Sequence, residues 1–429
     1  MLSREDNELL CRVGPGTPMG EMFRRYWIPA VLSREIPEPD SPPVRVRLLG
    51  EDLVAYRDSL GRVGLLDEHC SHRRASLFYG RNEECGLRCI YHGWKYDVEG
   101  TILDTPAEPL ESMMKHHVKH PAYPCREING LVLTYMGPRD TMPLVPNFAW
   151  LTAPADHVEI GDKYWNENNW LQGVEGDCDS SHIDYLHRRA GMATRTLGDT
   201  MQLAPGFGEA LHFEVEREPW GLKVAAIRYV GDTHKYVRTN MFVPPCIGIP
   251  PTSRMVKGIV DGFHAVYQIP ADDYNTWRID VNVKVSGPLG HSGGGNGRRR
   301  EVGPDWKKVA NSANEYLLDR EKQRTRVYCG VDFGNHTQDA CVTESMGQIS
   351  DRTLEHLGVC DAQPIAMREF LLGALRAMEQ GKDPPGIAFE PARNPYADIF
   401  TVNATVPLDV RWSDRGQVQA NAVEPAPFY

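Results

Sequence analysis

Residues 68–96 read EHCSHRRASLFYGRNEECGLRCIYHGWKY. This stretch places Cys70 two residues before His72 and Cys89 three residues before His92, with 16 residues between the two pairs. Each pair joins one thiol to one imidazole, and both groups are ligands for zinc and for iron–sulfur clusters. The stretch therefore predicts a metal site, which is either a structural zinc site or an iron–sulfur centre.

The alternation of cysteine and histidine helps to distinguish these two metals. A common zinc finger places two cysteines in one arm and two histidines in the other. In a two-iron centre whose irons take thiolates and imidazoles separately, each loop must deliver one ligand of each kind. The pattern therefore favours the iron–sulfur interpretation, with zinc as the alternative. Cys85, four residues before Cys89, is an alternative thiolate ligand.

A second group of ligand-type residues lies in the segment 169–189, NWLQGVEGDCDSSHIDYLHRR. A ferrous site of the 2-His-1-carboxylate type needs two imidazoles and one carboxylate, with open positions for dioxygen and substrate. His182 and His187 are five residues apart, a spacing that separates them by about 140° on a regular helix. We therefore predict a π-bulge or a helix end between Asp179 and His187. The alternative interpretation is that these residues are ordinary surface charges of a helix.

Composition and charge limit the class of protein. The chain has 429 residues, enough for two domains. Its net charge of −11 argues against a nucleic-acid-binding surface. The first residues, MLSREDNELL, are charged, unlike a signal peptide, and no run approaches the roughly 18 apolar residues of a membrane span. The sequence therefore predicts a cytoplasmic protein that binds neither nucleic acid nor membrane.

Hydrophobic periodicity predicts an α+β fold. Residues 44–137 contain the short alternating segments VRVRLL, LVAYRD, RVGLLDE and LVLTYMG, which are typical of β-strands. The first pairs of metal ligands would lie on loops between such strands. The later segments LHFEVERE, LKVAAIRYV and TWRIDVNVKV predict an antiparallel sheet beside helices. These helices are predicted over residues 169–187, 304–327 and 364–380.

The two segments resemble one known family. Residues 68–100 resemble the Rieske domain of ring-hydroxylating oxygenases, most closely the phthalate dioxygenase branch. Residues 169–187 are similar to the catalytic motif of the same family. The resemblance implies an all-β Rieske domain and a larger catalytic domain of the helix-grip, START-like type. The implied boundaries are an N-terminal segment packing with the catalytic domain over residues 1–35, the Rieske domain over 36–145 and the catalytic domain over 146–429.

The resemblance also implies roles for the ligand-type residues. His182 and His187 would bind a mononuclear Fe(II), as the catalytic (alpha) subunit of the family does. Asp179 would link this iron to the cluster of a neighbouring subunit. A Rieske 2Fe–2S cluster would be held by Cys70, His72, Cys89 and His92.

The third ligand of the mononuclear iron must come from elsewhere in the chain. Residues 330–358 offer several carboxylates, and Asp339 is the predicted ligand. In the phthalate branch the ligand aspartate resembles one in a Gln-Asp element before a Glu-Ser-x-Gly turn, and here Gln338-Asp339 precedes residues 344–347, ESMG. Asp332 is the alternative. This segment also offers Glu344 and Asp351.

The implied activity is that of a terminal oxygenase in aromatic compound catabolism. It would use dioxygen and electrons from an NAD(P)H-dependent reductase, alone or with a ferredoxin, to hydroxylate a small aromatic carboxylate. The alternative is an O- or N-demethylating monooxygenase acting on a methoxy-aromatic or related compound. A homotrimer or dimer of trimers would bring the cluster of one subunit to the iron of the next. An arginine would clamp the substrate carboxylate, and the candidates are Arg195, Arg228, Arg238 and Arg254.

The sequence leaves two further hypotheses open, and neither includes this oxygenase activity. The first is an electron-transfer protein with an intact cluster and a degenerate mononuclear site. The second is a zinc hydrolase in which His182 and His187 hold a catalytic zinc ion.

Overall fold

The computed structural model describes residues 2–109, 111–188, 211–252, 255–289, 301–396 and 399–423. Arg195 and Arg254, two of the predicted substrate-binding arginines, lie outside these ranges. The chain divides into two compact units. The larger unit comprises Met1–Cys11, Pro146–Gln268 and Tyr274–Tyr429, and the smaller unit comprises Arg12–Val145 and Ile269–Asp273.

The N-terminal segment predicted over residues 1–35 is divided between the two units. Its first helix, α1 (Arg4–Cys11), belongs to the larger unit. After the helix α2 (Pro18–Arg24), the strand β1 (Trp27–Leu32) belongs to the smaller unit. The reason is that β1 is buried along its whole length and pairs antiparallel with residues 131–135 of that unit. The boundary therefore lies at Arg12, earlier than predicted.

Short antiparallel strands build the smaller unit. Besides β1 these are β2 (Val44–Leu48), β3 (Glu51–Arg57), β4 (Val63–Asp67), β5 (Arg81–Glu83), β6 (Gly86–Arg88), β7 (Lys95–Tyr96), β8 (Ile102–Asp104), β9 (Ala122–Tyr123), β10 (Cys125–Ile128) and β11 (Leu131–Tyr135). They form sheets in the orders β2-β3-β4-β9, β5-β6-β7-β8 and β1-β11-β10. A short helix, α3 (Met114–His117), lies between β8 and β9. The predicted all-β domain is therefore confirmed.

The smaller unit is completed by residues distant in the chain. The backbone N–H groups of Leu49 and Gly50 donate to the carbonyl oxygens of Pro270 and Ala271, at 3.0 and 2.8 Å. The guanidinium of Arg47 donates to Asp272 at 2.8 Å. Residues 269–273 are therefore part of the smaller unit, although the chain on both sides of them belongs to the larger one.

An antiparallel sheet forms the centre of the larger unit. Its strands are β12 (Val158–Asn166), β13 (His212–Glu218), β14 (Gly221–Val230), β15 (His234–Val243), β16 (Ile247–Ile249), β19 (Phe263–Pro270), β20 (Thr276–Val283) and β21 (Asn403–Pro407), and a separate hairpin comprises β17 (Met255–Val256) and β18 (Ile259–Val260). The order is β12-β20-β19-β16-β15-β14-β13, and β21 also pairs with β15. β16 and β21 therefore both pair with β15, in addition to β14, and the sheet branches at β15.

Helices accompany this sheet. They are α4 (Ala149–Thr152), α5 (Trp170–Cys178), α6 (Arg320–Thr325), α7 (Asn335–Ser345), α8 (Ala362–Glu379) and α9 (Arg415–Asn421). The helix predicted over residues 364–380 is confirmed by α8, which buries Met367, Leu371 and Leu375. The α+β arrangement is therefore also confirmed. None of the helices in the described ranges has the length and apolar character that crossing a membrane requires.

The prediction of a helix over residues 304–327 is wrong. The segment contains only a 3-10 turn, Ser312–Leu317, and the short helix α6. Three consecutive residues of the turn have φ between 52° and 53°, outside the right-handed helical region. Upstream, the buried ammonium of Lys308 donates to the carboxylate of Glu344 at 2.6 Å. The same ammonium donates to the carbonyl of Trp165 in β12 at 2.6 Å, and these tertiary contacts override the helical periodicity of the segment.

Candidate metal centres

The first group of ligand-type residues lies on two tight loops of the smaller unit. The loop with Cys70 and His72 follows β4, and its backbone is closed by bonds from the Cys70 N–H to Ala75 and from the Arg74 N–H to Cys70, both at 2.9 Å. The loop with Cys89 and His92 follows β6 and is closed by a bond of 2.8 Å from the Cys89 N–H to Trp94. Both loops lie between short strands, as predicted.

The two loops bring like ligands together. The ring centroids of His72 and His92 are 4.5 Å apart, and the indole of Trp94 stacks on His72 at 4.8 Å. Nδ1 of His72 is buried and has no hydrogen-bond partner within the described part of the chain. Cys70 and Cys89 are also buried, and they belong to the apolar core of this unit. The two imidazoles are therefore adjacent to each other, and the two thiols interact with each other.

The two thiols interact directly, so the pKa of Cys70 is lowered while that of Cys89 is raised. The Cys89 thiol, and after it the Tyr96 hydroxyl 2.9 Å from the Cys70 sulfur, lower the pKa of Cys70 to about 5 despite its burial. The thiolate is the form of cysteine that binds metals. Paired thiols, paired imidazoles and an unpartnered buried ring nitrogen fit a 2Fe–2S cluster with two imidazole ligands. Cys85, the alternative ligand, instead lies half-buried in the turn between β5 and β6, where its N–H donates to Ser59 at 2.9 Å.

The second group forms a compact three-residue site in the larger unit. Nε2 of His182 is 3.2 Å from Nε2 of His187. Oδ1 of Asp339 is 3.1 Å from the latter atom and 3.7 Å from the former. One ligand atom from each residue lies within 4.8 Å of the other two, so the group could hold a metal ion. The structure thus brings together the three residues predicted as ligands of the mononuclear iron.

The convergence of the two histidines depends on where α5 ends. The helix stops at Cys178, and Asp179 has an extended backbone with φ −77° and ψ 129°. A 3-10 turn, His182–Asp184, then turns the chain back towards His187. A helix end is therefore present at Asp179, where the irregularity was predicted to begin, and the helix predicted over residues 169–187 is correspondingly shorter.

Asp339 differs from the other carboxylates proposed as the third ligand. Its helix, α7, places it beside both histidines. Asp332 is instead 3.4 Å from Lys322, and Glu344 is bound to Lys308. Asp351 accepts hydrogen bonds from the backbone and hydroxyl of Thr353. These three carboxylates therefore have other partners, and none of them is placed at the histidines.

Gln338 determines which nitrogen of His187 faces the site. Its amide nitrogen donates to the Val331 carbonyl at 2.8 Å, which leaves its oxygen to accept from Nδ1–H of His187 at 2.7 Å. Nε2 of His187 then carries a lone pair directed at Asp339. Two imidazole lone pairs and a carboxylate in such proximity repel one another unless a cation lies between them. The donor set therefore fits a divalent metal such as Fe(II).

Without a metal ion, a proton on an imidazole can supply the positive charge that the carboxylates of the site require. Burial alone would raise the pKa of Asp339, but the positive charge of a protonated His187 or His182 lowers it to about 2. Burial would lower the pKa of His182, but the carboxylates of Asp179 and Asp339 raise it. Oδ2 of Asp179 is 3.4 Å from Nδ1 of His182, on the side of the ring opposite the three-residue site. Asp179 thus touches a candidate ligand without joining the ligand atoms.

The remaining acids of the segment 169–189 each contact an arginine from another element. Glu175 contacts Arg352 and Arg368, at 2.8 and 2.6 Å. Asp177 contacts Arg278 at 2.8 Å. For these acids the interpretation as structural charges is the one that the contacts support.

The two described substrate-binding candidates differ in their contacts. The guanidinium of Arg228 forms a buried ion pair of 2.6 Å with Asp184. Arg238 donates to the Ser180 hydroxyl at 2.8 Å and to Asn240 at 3.0 Å, directly beside the end of α5. Burial lowers the pKa of Arg238 to about 10, so it remains a cation at neutral pH. Arg238 is therefore the described candidate that lies next to the metal site.

Several residues at these sites were not assigned a role from the sequence. Gln338 was noticed only as the neighbour of Asp339. Tyr96 and His120 near the first site carry no ligand-type spacing at all, and His120 lies 48 residues beyond His72. The one available signal was the position of Gln338 in the same Gln-Asp element as Asp339.

Comparison with known proteins gives matches along most of the chain. Residues 26–117 match the family described as Rieske [2Fe-2S] domain, and residues 134–426 match the family described as LigXa C-terminal domain like. The chain is 37% identical over 436 residues to the phthalate 4,5-dioxygenase oxygenase subunit of Pseudomonas putida. The alignment covers 96% of this chain and 94% of that protein.

Two further relatives have similar coverage. Identity is 37% over 410 residues to the 3-chlorobenzoate-3,4-dioxygenase oxygenase subunit of Comamonas testosteroni, covering 90% of this chain and 92% of that protein. Identity is 32% over 420 residues to the 5,5'-dehydrodivanillate O-demethylase oxygenase subunit of Sphingobium, covering 94% and 87%.

Solved structures share the fold at lower identity. NdmA of Pseudomonas putida CBB5 superposes with a TM-score of 0.60 at 19% identity, covering 88% of this chain and 99% of that one. The reduced complex between oxygenase and ferredoxin in carbazole 1,9a-dioxygenase gives a TM-score of 0.56 at 20% identity, covering 86% and 94%.

Proposed function

The chain belongs to the Rieske non-haem iron ring-hydroxylating oxygenases, as a catalytic (alpha) subunit of the phthalate dioxygenase-like branch, and we propose that it hydroxylates a small aromatic carboxylate. It is an oxygenase with a Rieske 2Fe–2S cluster and a mononuclear iron as cofactors. The observation that carries the proposal is the convergence of His182, His187 and Asp339. A 2-His-1-carboxylate set leaves coordination positions open, as dioxygen-activating iron sites require.

Each ligand-type residue has a role in this proposal. The cluster is held by Cys70, His72, Cys89 and His92, and the iron by the three-residue site. When bound, the two groups supply single-electron transfer and dioxygen activation. Gln338 keeps the lone pair of His187 directed at the iron, and Asp179 connects the outer nitrogen of His182 to the surface where a donor cluster would approach. The domain assignment follows, with the smaller unit holding the cluster and the larger unit holding the iron.

The proposed substrate class rests on Arg238 and on the relatives. Arg238 is a cation beside the end of α5, and a guanidinium binds a carboxylate through paired hydrogen bonds. The phthalate and 3-chlorobenzoate enzymes, each 37% identical, are named for aromatic acids. Arg228 is excluded from this role because Asp184 already occupies it. Arg195 and Arg254 remain predictions, since they lie outside the described residues.

A second candidate function is O-demethylation. Its support is the 32% identity to the 5,5'-dehydrodivanillate O-demethylase subunit over 94% of this chain. Hydroxylation of a methoxy carbon would release formaldehyde and a phenol. The same iron site would serve both outcomes, and the position of the substrate would decide between them.

The proposal includes partner proteins. An NAD(P)H-dependent reductase would supply electrons, alone or through a ferredoxin, and a carbazole 1,9a-dioxygenase oxygenase has been solved in complex with its ferredoxin. A homotrimer or dimer of trimers would place the cluster of one subunit near the iron of the next. The pathway served would be aromatic compound catabolism.

The test begins with metal content and then measures turnover. Anaerobically purified protein should contain about three irons and two sulfides per chain, with a Rieske-type EPR signal on reduction. With a competent reductase and NADH, aromatic carboxylates should stimulate oxygen uptake and yield a hydroxylated product. Methoxy-aromatics that instead yield formaldehyde would favour the second candidate. A reducible cluster without substrate-dependent oxygen uptake would contradict both, and zinc without sulfide would overturn the family chemistry in this chain.

Two variants make the assignment of ligands specific. Asp339→Ala should lose the mononuclear iron and the activity while it keeps the cluster spectrum. Asp332→Ala is the matched control, because Asp332 contacts Lys322 and should leave iron content unchanged. Loss of iron in Asp332→Ala but not in Asp339→Ala would identify Asp332 as the third ligand instead.

A further inference from the structure

We infer that His120 is a positioning residue that sets the reduction potential of the 2Fe–2S cluster through Ser71 and Tyr96, given the cluster ligands proposed above. His120 is 1% exposed and lies in the smaller unit, 48 residues beyond the first ligand loop. Its backbone N–H donates to the Gly100 carbonyl at 2.9 Å, which fixes the residue in place. No metal-ligand role accounts for this buried imidazole.

The contacts of His120 define its tautomer. Nε2 is 2.9 Å from the backbone oxygen of Asp67, and because a carbonyl only accepts, Nε2–H must donate. Burial lowers the pKa of His120, so the ring is neutral and its Nδ1 is an acceptor. Nδ1 is 2.7 Å from the hydroxyl of Ser71, which must therefore donate to it. Both ring nitrogens and the Ser71 proton are thus engaged.

Ser71 lies at a critical point of the ligand loop, between Cys70 and His72. Its backbone N–H donates to the hydroxyl of Tyr96. That hydroxyl is in turn 2.9 Å from the Cys70 sulfur, and it must donate to this sulfur when Cys70 is a thiolate ligand of the cluster. The ring of His120 also packs on the ring of Tyr96, with centroids 4.4 Å apart. His120 therefore holds both groups that determine the hydrogen bond to the ligand sulfur.

This arrangement has a consequence for electron transfer. A hydrogen bond to a ligand sulfur stabilises the more negative, reduced cluster, and so raises its reduction potential. If the Ser71 hydroxyl loses its acceptor, the loop and the Tyr96 hydroxyl lose their orientation and the bond weakens. The protein then holds the electron less tightly before passing it to the mononuclear iron.

The experiment measures the reduction potential and the EPR spectrum of the cluster in the holoenzyme at one pH. His120→Phe keeps a packed ring but has no acceptor. We expect its equilibrium constant for cluster reduction to fall about tenfold, which lowers the reduction potential by about 59 mV for one electron. In His120→Asn the side-chain oxygen stands close to the position of Nδ1 and can accept from Ser71, so the potential should return towards the parent value. His117→Phe, on the exposed helix α3, is the matched control and should show no shift.

A double-variant cycle tests the route through Tyr96. If His120 acts by positioning the Tyr96 hydroxyl, the shift caused by His120→Phe should largely disappear in a Tyr96→Phe background. An equal shift in both backgrounds, or no shift in a fully loaded single variant, would overturn the inference. Should His120→Phe fail to fold, Ser71→Ala removes the same hydrogen bond and should lower the reduction potential. An unchanged potential in Ser71→Ala would also overturn the inference. A protein with no Rieske-type signal would contradict the proposed function instead.

Discussion

Gln338 shows how one side chain can decide the chemistry of its neighbour. A neutral imidazole has one donor and one acceptor nitrogen, and only the acceptor can bind a metal. The amide of Gln338 is itself oriented by the Val331 carbonyl, and its oxygen accepts a hydrogen bond from Nδ1–H of His187. The metal-binding tautomer is therefore present before any metal arrives.

Replacing Gln338 should weaken iron binding without removing a ligand. In Gln338→Leu the acceptor for Nδ1–H is lost, so we expect the affinity of the mononuclear site for Fe(II) to fall about 10–100-fold. Gln338→Glu keeps an acceptor oxygen at the same place and should retain most of the affinity. Iron titration of protein with an intact cluster measures this effect, and equal affinities in the two variants would contradict it.

Asp179 occupies a different position, on the far side of His182. Because its carboxylate contacts Nδ1 and none of the three converging ligand atoms, we expect Asp179→Asn to keep both metals. The neutral amide cannot balance a positive charge on His182, so electron transfer to the iron should slow by at least about tenfold, or about 1.4 kcal/mol in the barrier. Single-turnover oxidation of a pre-reduced cluster is the measurement. An unchanged rate would rule out a bridging role.

Residue roles divide into those that spacing predicts and those that it does not. Cys70, His72, His182 and His187 could be predicted because their types and separations are themselves the signal. Gln338 could not, since its partner His187 is 151 residues away in the chain. The role inferred for His120 depends only on contacts that form after folding. Sequence spacing therefore predicts ligands better than the groups that orient them.

At the scale of elements, the segment after residue 301 is governed by one buried ion pair. Lys308 and Glu344 have side chains 2% and 4% exposed, and the ammonium also donates to the Trp165 carbonyl of β12 at 2.6 Å. The pair connects the sheet to the end of α7, the helix that carries Gln338 and Asp339. The apolar periodicity of residues 304–327 predicted a helix there, because periodicity contains no information on Glu344, which lies 36 residues beyond Lys308 in the chain.

Breaking this pair should destabilise the larger unit. Lys308→Met leaves the Glu344 carboxylate buried without its cation, which costs about 3–5 kcal/mol. Chemical unfolding followed by tryptophan fluorescence would detect the loss. Lys307→Met is the matched control, since Lys307 is exposed and its replacement should change stability by no more than about 0.5 kcal/mol. Similar stabilities of the two variants would show that the pair contributes little.

At the scale of the whole molecule, the proposed ring of subunits makes a quantitative prediction. Chains with His182→Ala keep the cluster but lack the iron, and chains with Cys89→Ala keep the iron but lack the cluster. Neither should be active alone. If electrons cross between subunits, randomly mixed rings should recover about a quarter of the parent activity, because half the subunits have iron and half of these have a donor neighbour.

Co-expression with two different tags allows the mixed assemblies to be isolated; in a mixed threefold ring one subunit of three has both iron and a donor neighbour, so about a third of the parent activity is expected there. Activity in the mixed sample, with none in either parent variant, would establish electron transfer between subunits. Mixed assemblies without activity would confine the transfer to a single chain and contradict the proposed ring.

The discontinuity of the smaller unit affects how the protein is made. Residues 12–145 leave the ribosome well before residues 269–273, whose backbone accepts from Leu49 and Gly50. Domains generally fold as they emerge during synthesis, the N-terminal one first. Here the first unit completes its contacts only when most strands of the second sheet have already been translated. We therefore expect the two units to fold during overlapping periods of translation, and a chimera that exchanges residues 12–145 alone would lack residues 269–273, the last piece of that unit.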